Sequence, residues 1–184
     1  FYTISTETIA GVREWKAFNW YRLADNRIVG AWKKHYMAVS AGTNWTRDSV
    51  PPPVAVTSFG FNPSAKVWGT RTEDGRYAFA GCTPGKPGGD LHRRWPLAVT
   101  TSRDGLTFDT PYLVIAGDMP PQRYENADGD DKNSGPQYVR GICPGNGDPP
   151  GTDLWLTYSM NKEDIWVACL PTPIVGQVTN EVRD

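Results

Sequence analysis

The sequence predicts an all-β chain of short antiparallel strands, and three observations predict it. Alternating apolar runs bounded by Gly, Pro, Asn and Asp dominate, while helical periodicity is hard to find. Eight Trp and eight Tyr stand beside nineteen Gly and sixteen Pro, which suits short strands joined by tight connections. The third observation is local. Ser102-Arg103-Asp104-Gly105-Leu106-Thr107-Phe108 lies between the strand-like run Pro96 to Thr101 and a second run from Thr110 to Ile115. Asp-Gly fits a hairpin because Gly accepts a positive φ without a Cβ clash. Ser and Thr hydroxyls can bond the turn amides, and Phe108 can pin the turn to the sheet.

Taken in order, Thr6 to Ala17 reads as one short helix or an irregular entry segment. Arg27 to Trp32 and Tyr36 to Ser40 are candidate strands. Ala65 to Thr72 and Arg76 to Gly81 flank Glu73-Asp74-Gly75, a good hairpin turn. Pro96 to Thr101 and Tyr112 to Ala116 flank the turn at Ser102, and Tyr138 to Cys143, Leu154 to Tyr158 and Ile165 to Leu170 form a last set of three. A loose repeat follows. Tyr36 to Trp45 looks like a worn copy of Leu97 to Phe108, about sixty residues apart, each ending in a small or polar turn and an aromatic.

The chain has 184 residues, near the size of one domain and long enough to bury a core. A net charge of −1 predicts no general attraction to nucleic acid or to acidic membranes. No apolar run approaches a membrane span. No signal peptide is visible and the chain opens at Phe1, which predicts a processed product or a fragment. Cys82, Cys143 and Cys169 lack CxxC spacing, so a zinc site is not expected. Cys143 and Cys169 lie in strand-like runs of one set and are either paired or buried as free thiols. Asn44-Trp45-Thr46 is a glycosylation sequon and a hint of secretion.

The Ser102–Phe108 turn resembles the Asp-box, shortened by one residue, a structural motif of sialidase-like β-propellers. Three further segments carry the resemblance: Arg93 to Ala98, Gly135 to Ile142 and Trp155 to Val167. Together they look like the C-terminal part of Asp-box propellers that act on carbohydrates, over roughly residues 60 to 175. Within that group, the resemblance points to propellers that cleave rhamnose–glucuronate bonds in plant glycans, some lyases and some hydrolases. It implies a propeller of four-stranded antiparallel blades. About three blades are expected here: an incomplete one at 1–50, a second at 51–118 and a third at 119–184. An antiparallel sandwich with two similar hairpins is the alternative. A propeller closes with about four to eight blades. The rest of the polypeptide or a companion chain is then expected to supply the others.

Loops between second and third strands, and loops entering the innermost strand, share the face that usually binds ligand in such a wheel. Three segments fall there. Thr83 to Arg94 ends in His92-Arg93-Arg94: His92 suits a general base, and Arg93 and Arg94 suit a carboxylate, against the reading of a solvated basic loop end. Pro120 to Pro136 carries Glu125, Asp128, Asp130 and Asp131, a solvated acidic loop or a Ca²⁺ site without EF-hand spacing. It leads to Tyr138, a candidate nucleophile, and to Arg140, the leading candidate ligand for a substrate carboxylate. Ser159 to Asp164 places Asn161, Lys162 and Glu163 at a turn, as turn formers or as ligands of sugar hydroxyls. Trp68 and Arg71 offer a stacking face and another cation, with core packing the commoner role for a strand Trp. His35 reads as a surface or sheet-edge residue.

The expected function is cleavage of a uronic-acid-containing glycan. Foremost is a lyase at a rhamnose–glucuronate linkage; a sialidase-like exo-hydrolase or a non-catalytic sugar-binding propeller are the alternatives. The expected partner is an oligo- or polysaccharide. No cofactor is required, apart from the Ca²⁺ reading. Localisation is expected to be secreted or extracytoplasmic.

Overall fold

Three antiparallel sheets follow one another along the chain. The computed structural model describes residues 19–31, 36–39, 55–56, 61, 65–83, 94–115, 117–124, 134–141 and 152–174. The first sheet holds β1 (Asn19–Arg22), β2 (Ile28–Ala31), β3 (Tyr36–Val39) and β4 (Ala55–Val56). The second holds β5 (Trp68–Arg71), β6 (Tyr77–Cys82), β7 (Leu97–Ser102) and β8 (Tyr112–Leu113). The third holds β9 (Pro136–Gly141), β10 (Leu154–Met160) and β11 (Asp164–Leu170). Each strand pairs with the next in sequence, so every sheet is a meander. No helix occurs among the described residues. The segment Thr6 to Ala17 lies outside them, as do His35, Asn44 to Thr46 and Cys143.

The middle sheet is buried on both faces, and side-chain size sorts its two sides. All six residues of β6 are buried. Tyr77 and Phe79 point toward the first sheet and join a core with Tyr21, Val29, Ala31 and Ala98. Ala78, Ala80 and Cys82 point the other way and join a core with Trp68, Leu97, Val99, Leu156 and Met160. Gly69 pairs with Phe79, and a Cβ at Gly69 would stand 2.6 Å from that ring, so the aromatic needs the missing side chain. The small alanines on the opposite side leave room for Trp68.

Two cores around three sheets are not a sandwich, which has one core between two sheets. The first strands also touch in order: β1 packs on β5, and β5 packs on β9. The Asn19 side-chain amide donates to Val67 O at 3.0 Å and ties the first two sheets at that edge. This all-β arrangement of successive stacked sheets is consistent with propeller blades.

The predicted turns are built by the chemistry that marks them. In the β5–β6 hairpin, Gly75 takes φ 81° and the Thr72 hydroxyl donates to Asp74 Oδ1 at 2.5 Å. In the Ser102–Phe108 turn, Asp104 Oδ1 accepts from Leu106 N and Thr107 N at 2.8 and 2.7 Å and from Ser102 Oγ at 2.8 Å. Gly105 has φ 75°, and its carbonyl accepts the buried Tyr21 hydroxyl at 2.5 Å. Phe108 meets Phe79 edge-on at 5.2 Å. The turn therefore locks the second sheet to the first.

The two backbone N–H donors at Thr107 and Leu106 hold the Asp104 carboxyl down at about 2. A carboxylate depressed in the folded state stabilises above its unfolded value and loses that contribution as pH falls through the folded one. Asp104→Ala is thus expected to lower thermal stability at pH 7 and to narrow the gap from the parent between about pH 4 and pH 2. Melting curves across that window check it. A gap independent of pH would show that Asp104 acts only through packing.

The cysteines depart from the pairing alternative. Cys169 is an exposed free thiol, 3.6 Å from Asp153 Oδ2, rather than half of a disulfide. Cys82 is a buried free thiol.

Candidate functional site

The backbone entering β9 is tightly constrained. Gly135 enters it with φ 83°, and a Cβ there would strike the carbonyl of Arg94. Only glycine permits that approach, which brings the end of the β6–β7 connection against the entrance of β9. Arg94 Nη1 then donates to Gln137 Oε1 at 2.7 Å. The Cys82 thiol donates to Pro136 O at 2.9 Å. Burial pushes that thiol up to about 12, against the opposing effect of Arg94, so it stays protonated and unreactive at neutral pH.

Gln137 is 2% exposed, and its Nε2 has no hydrogen-bond partner among the described residues. A buried unpaired donor costs about 1–3 kcal/mol. The next residue adds a second expense. Ser159 pairs with Gln137 and Thr157 with Arg140, so Tyr138 and Val139 together face the single residue Tyr158. This β-bulge puts Tyr138 at φ 55°, a conformation that disfavours a side chain by roughly 1–2 kcal/mol. Bulges re-aim side chains, and Tyr138 is left 43% exposed with the Lys66 ammonium 4.5 Å from its ring centre. Lys66 precedes β5, so this contact crosses from the second sheet to the third. Strain of this kind, beside an unpaired donor, makes the start of β9 the candidate functional site.

The remaining candidates do not all converge there. Arg140 is exposed on β9, two residues beyond Tyr138, and pairs in register with Thr157. Arg71 stands five residues past Lys66, about 16 Å along the strand. Its Nε donates to Gly75 O at 3.3 Å and its guanidinium lies 5.6 Å from the Tyr77 ring centre, so it caps its own hairpin. Trp68 is 4% exposed, and its indole fills the space where a Cβ of Gly141 would be. It therefore takes the core role and presents no stacking face. His92 and Arg93 lie outside the described residues, as do Glu125, Asp128, Asp130 and Asp131. Among the described residues, no three acidic, His or Cys groups gather as a metal site.

Asn161 and Glu163 serve as a clamp on the chain entering β9, a role that differs from sugar ligation. Asn161 and Lys162 have φ 55° and 60°, which makes the β10–β11 connection a primed turn, closed by Glu163 N donating to Met160 O at 2.9 Å. Asn161 is buried; its Oδ1 accepts from Gly135 N at 2.7 Å and its Nδ2 donates to Pro120 O at 3.0 Å. Glu163 Oε1 accepts from the backbone N–H groups of Arg123 and Tyr124 at 2.8 and 2.9 Å. Arg123 also pairs with Asp164 at 2.6 Å. Lys162 is exposed at the tip.

Asn161→Ala leaves the Gly135 amide and the Pro120 carbonyl unpaired. It is expected to cost about 1–3 kcal/mol and to speed proteolytic cleavage within 117–124. Denaturant melts with timed digestion check both; an unchanged digestion rate would remove the clamp.

Gln137 escaped the sequence reading because glutamine in a strand carries no signal of its own. Its partner stands 43 positions away in the chain. Lys66 likewise carries no local signal, because its contact with Tyr138 joins two sheets.

A solved sialidase is similar to this chain, with 41% sequence identity and a TM-score of 0.67. The match covers 88% of this chain and 14% of that one, so the chain spans about one seventh of the sialidase's length. No family model matches the chain, and no curated protein matches it. The fold is thus sialidase-like, all-β and antiparallel.

Proposed function

We propose that this chain supplies about three blades of a carbohydrate-active propeller enzyme, and that the entrance of β9 takes an acidic sugar. The observation that carries this reading is the 41% identity with a sialidase across 88% of the chain. The local chemistry supports it. Lys66 stands 4.5 Å from the ring centre of the exposed Tyr138, Arg140 is exposed two residues further along β9, and Arg94 bonds Gln137, the residue before Tyr138. A guanidinium binds a sugar carboxylate with two parallel N–H groups, so arginine suits recognition and orientation. Tyr138 then suits attack on the anomeric carbon in a retaining hydrolysis: its oxygen bonds that carbon as the glycosidic bond breaks, and water later cleaves the glycosyl–tyrosine bond.

The resemblance to rhamnose–glucuronate enzymes supports a second chemistry at the same sugar carboxylate. In a lyase the arginines neutralise the carboxylate beside the carbon that loses its proton, His92 or Tyr138 takes that proton, and the bond from the neighbouring carbon to the departing sugar oxygen breaks as the double bond forms. The outer face of the third sheet supports the incompleteness of the wheel. Ile165 is 74% and Val167 58% exposed there, a surface suited to a further blade from the rest of the polypeptide or a companion chain. The Asp-box reading of the Ser102–Phe108 turn and a secreted or extracytoplasmic location belong to the same proposal.

The test uses the full polypeptide with two substrates, a sialoside and a rhamnose–glucuronate glycan. Release of sialic acid, or of reducing sugar without new ultraviolet absorbance, is the expected hydrolase result. A rise in the absorbance of unsaturated uronides assigns the lyase. Binding without cleavage leaves a sugar-binding propeller, and neither binding nor cleavage overturns the reading. Arg140→Ala in a folded variant is expected to raise KM for the acidic substrate at least ~10-fold. Unchanged kinetics would remove Arg140 from the site.

A further inference from the structure

We propose that Gln137 is a positioning residue that fixes the Arg94 guanidinium for an anionic ligand while leaving its charge uncancelled. This rests on the acidic-sugar reading above. A carboxylate partner would orient the guanidinium and neutralise it together. Here the partner at 2.7 Å is the neutral oxygen of an amide. No salt bridge to Arg94 occurs among the described residues. Its direction is set on two sides: the Arg94 carbonyl stands over Gly135, and its side chain ends on Gln137, two residues further along the chain.

The unpaired Nε2 of Gln137 is the counterpart of that arrangement. A purely structural site would favour a residue without a stranded donor: glutamate, which pairs more strongly with arginine, or an apolar side chain. Glutamine keeps the acceptor, adds no charge and leaves one amide hydrogen unsatisfied. The same stretch holds the strained Tyr138, so two unfavourable features sit on adjacent residues at one place. They are explained together if the strand is shaped for a ligand rather than for its own stability.

Gln137→Glu separates these roles, because it keeps the shape and the bond to Arg94 but cancels the charge. With the sialoside or glucuronate substrate that the parent cleaves, KM is expected to rise at least ~10-fold while kcat changes much less. The salt dependence of KM is expected to weaken as well. Binding of the same glycan with its carboxyl group converted to an amide is expected to be unaffected. Gln137→Met removes the acceptor and the stranded donor together and guards against a Glu variant that fails to fold. It is expected to fold, to raise KM for the acidic substrate several-fold and to leave binding of the amide form unchanged. Parent-like KM in both folded variants, or equal losses on acidic and amide ligands, overturns the role of Gln137. A parent protein that neither binds nor cleaves an acidic sugar overturns the underlying reading, and this inference falls with it.

Discussion

Replacing Tyr138 by glycine is expected to leave the protein as stable as the parent, or about 1 kcal/mol more stable, while turnover falls by at least ~10³-fold. The two effects have separate causes. At φ 55° a side chain strains the backbone, and glycine relieves that strain. The phenol is the exposed group of the bulge, with Lys66 over its ring, and glycine removes it. Tyr138→Phe divides the result further: it keeps the ring, the cation contact and the strain, and loses only the hydroxyl. A nucleophilic role predicts that Phe is as inactive as Gly, whereas a stacking role predicts that Phe is active. Thermal melts and initial rates on the cleaved glycan read both axes. A glycine variant that is strongly destabilised would show that the bulge is held by packing of the ring.

Gly141→Ala is expected to destabilise by roughly 3 kcal/mol or more, through a different physical route. The backbone at Gly141 carries no special strain; the Trp68 indole occupies the position of the missing side chain. A methyl group there must push a fully packed indole out of the core between the second and third sheets. For a domain of ordinary stability, about 5–15 kcal/mol, that is a large fraction of the whole. Trp68→Phe in the same chain is expected to recover part of the loss, because a smaller ring vacates the contested volume. A double-mutant cycle in denaturant measures it. Additive losses would mean that the two residues do not compete for space.

Legibility followed the range of the interactions. The β5–β6 turn at Glu73-Asp74-Gly75 and the Ser102–Phe108 turn were readable because their hydrogen bonds join residues two or three apart. The strands β1 and β4 carry no such local signal. In β1 only Tyr21 is buried, so its pattern offers no alternation strong enough to recognise, and β4 is two residues held by pairing with β3. By sequence alone Asn161 and Glu163 are turn formers or sugar ligands. Their role as a clamp depends on carbonyls and amides about forty positions away, which no local pattern encodes.

Composition, alternation and turn chemistry alone determined an all-β chain of successive antiparallel hairpins, because strand and turn preferences act between near neighbours. The choice of which side chains became site and which became core was left to the stacking of the sheets. Trp68 went inward because Gly141 made room for it, and Arg71 turned back onto its own hairpin. Tyr138 was thrown outward by a bulge that exists only where β9 pairs with β10. Those outcomes are set by register and by the space between sheets, which arise only when distant segments meet.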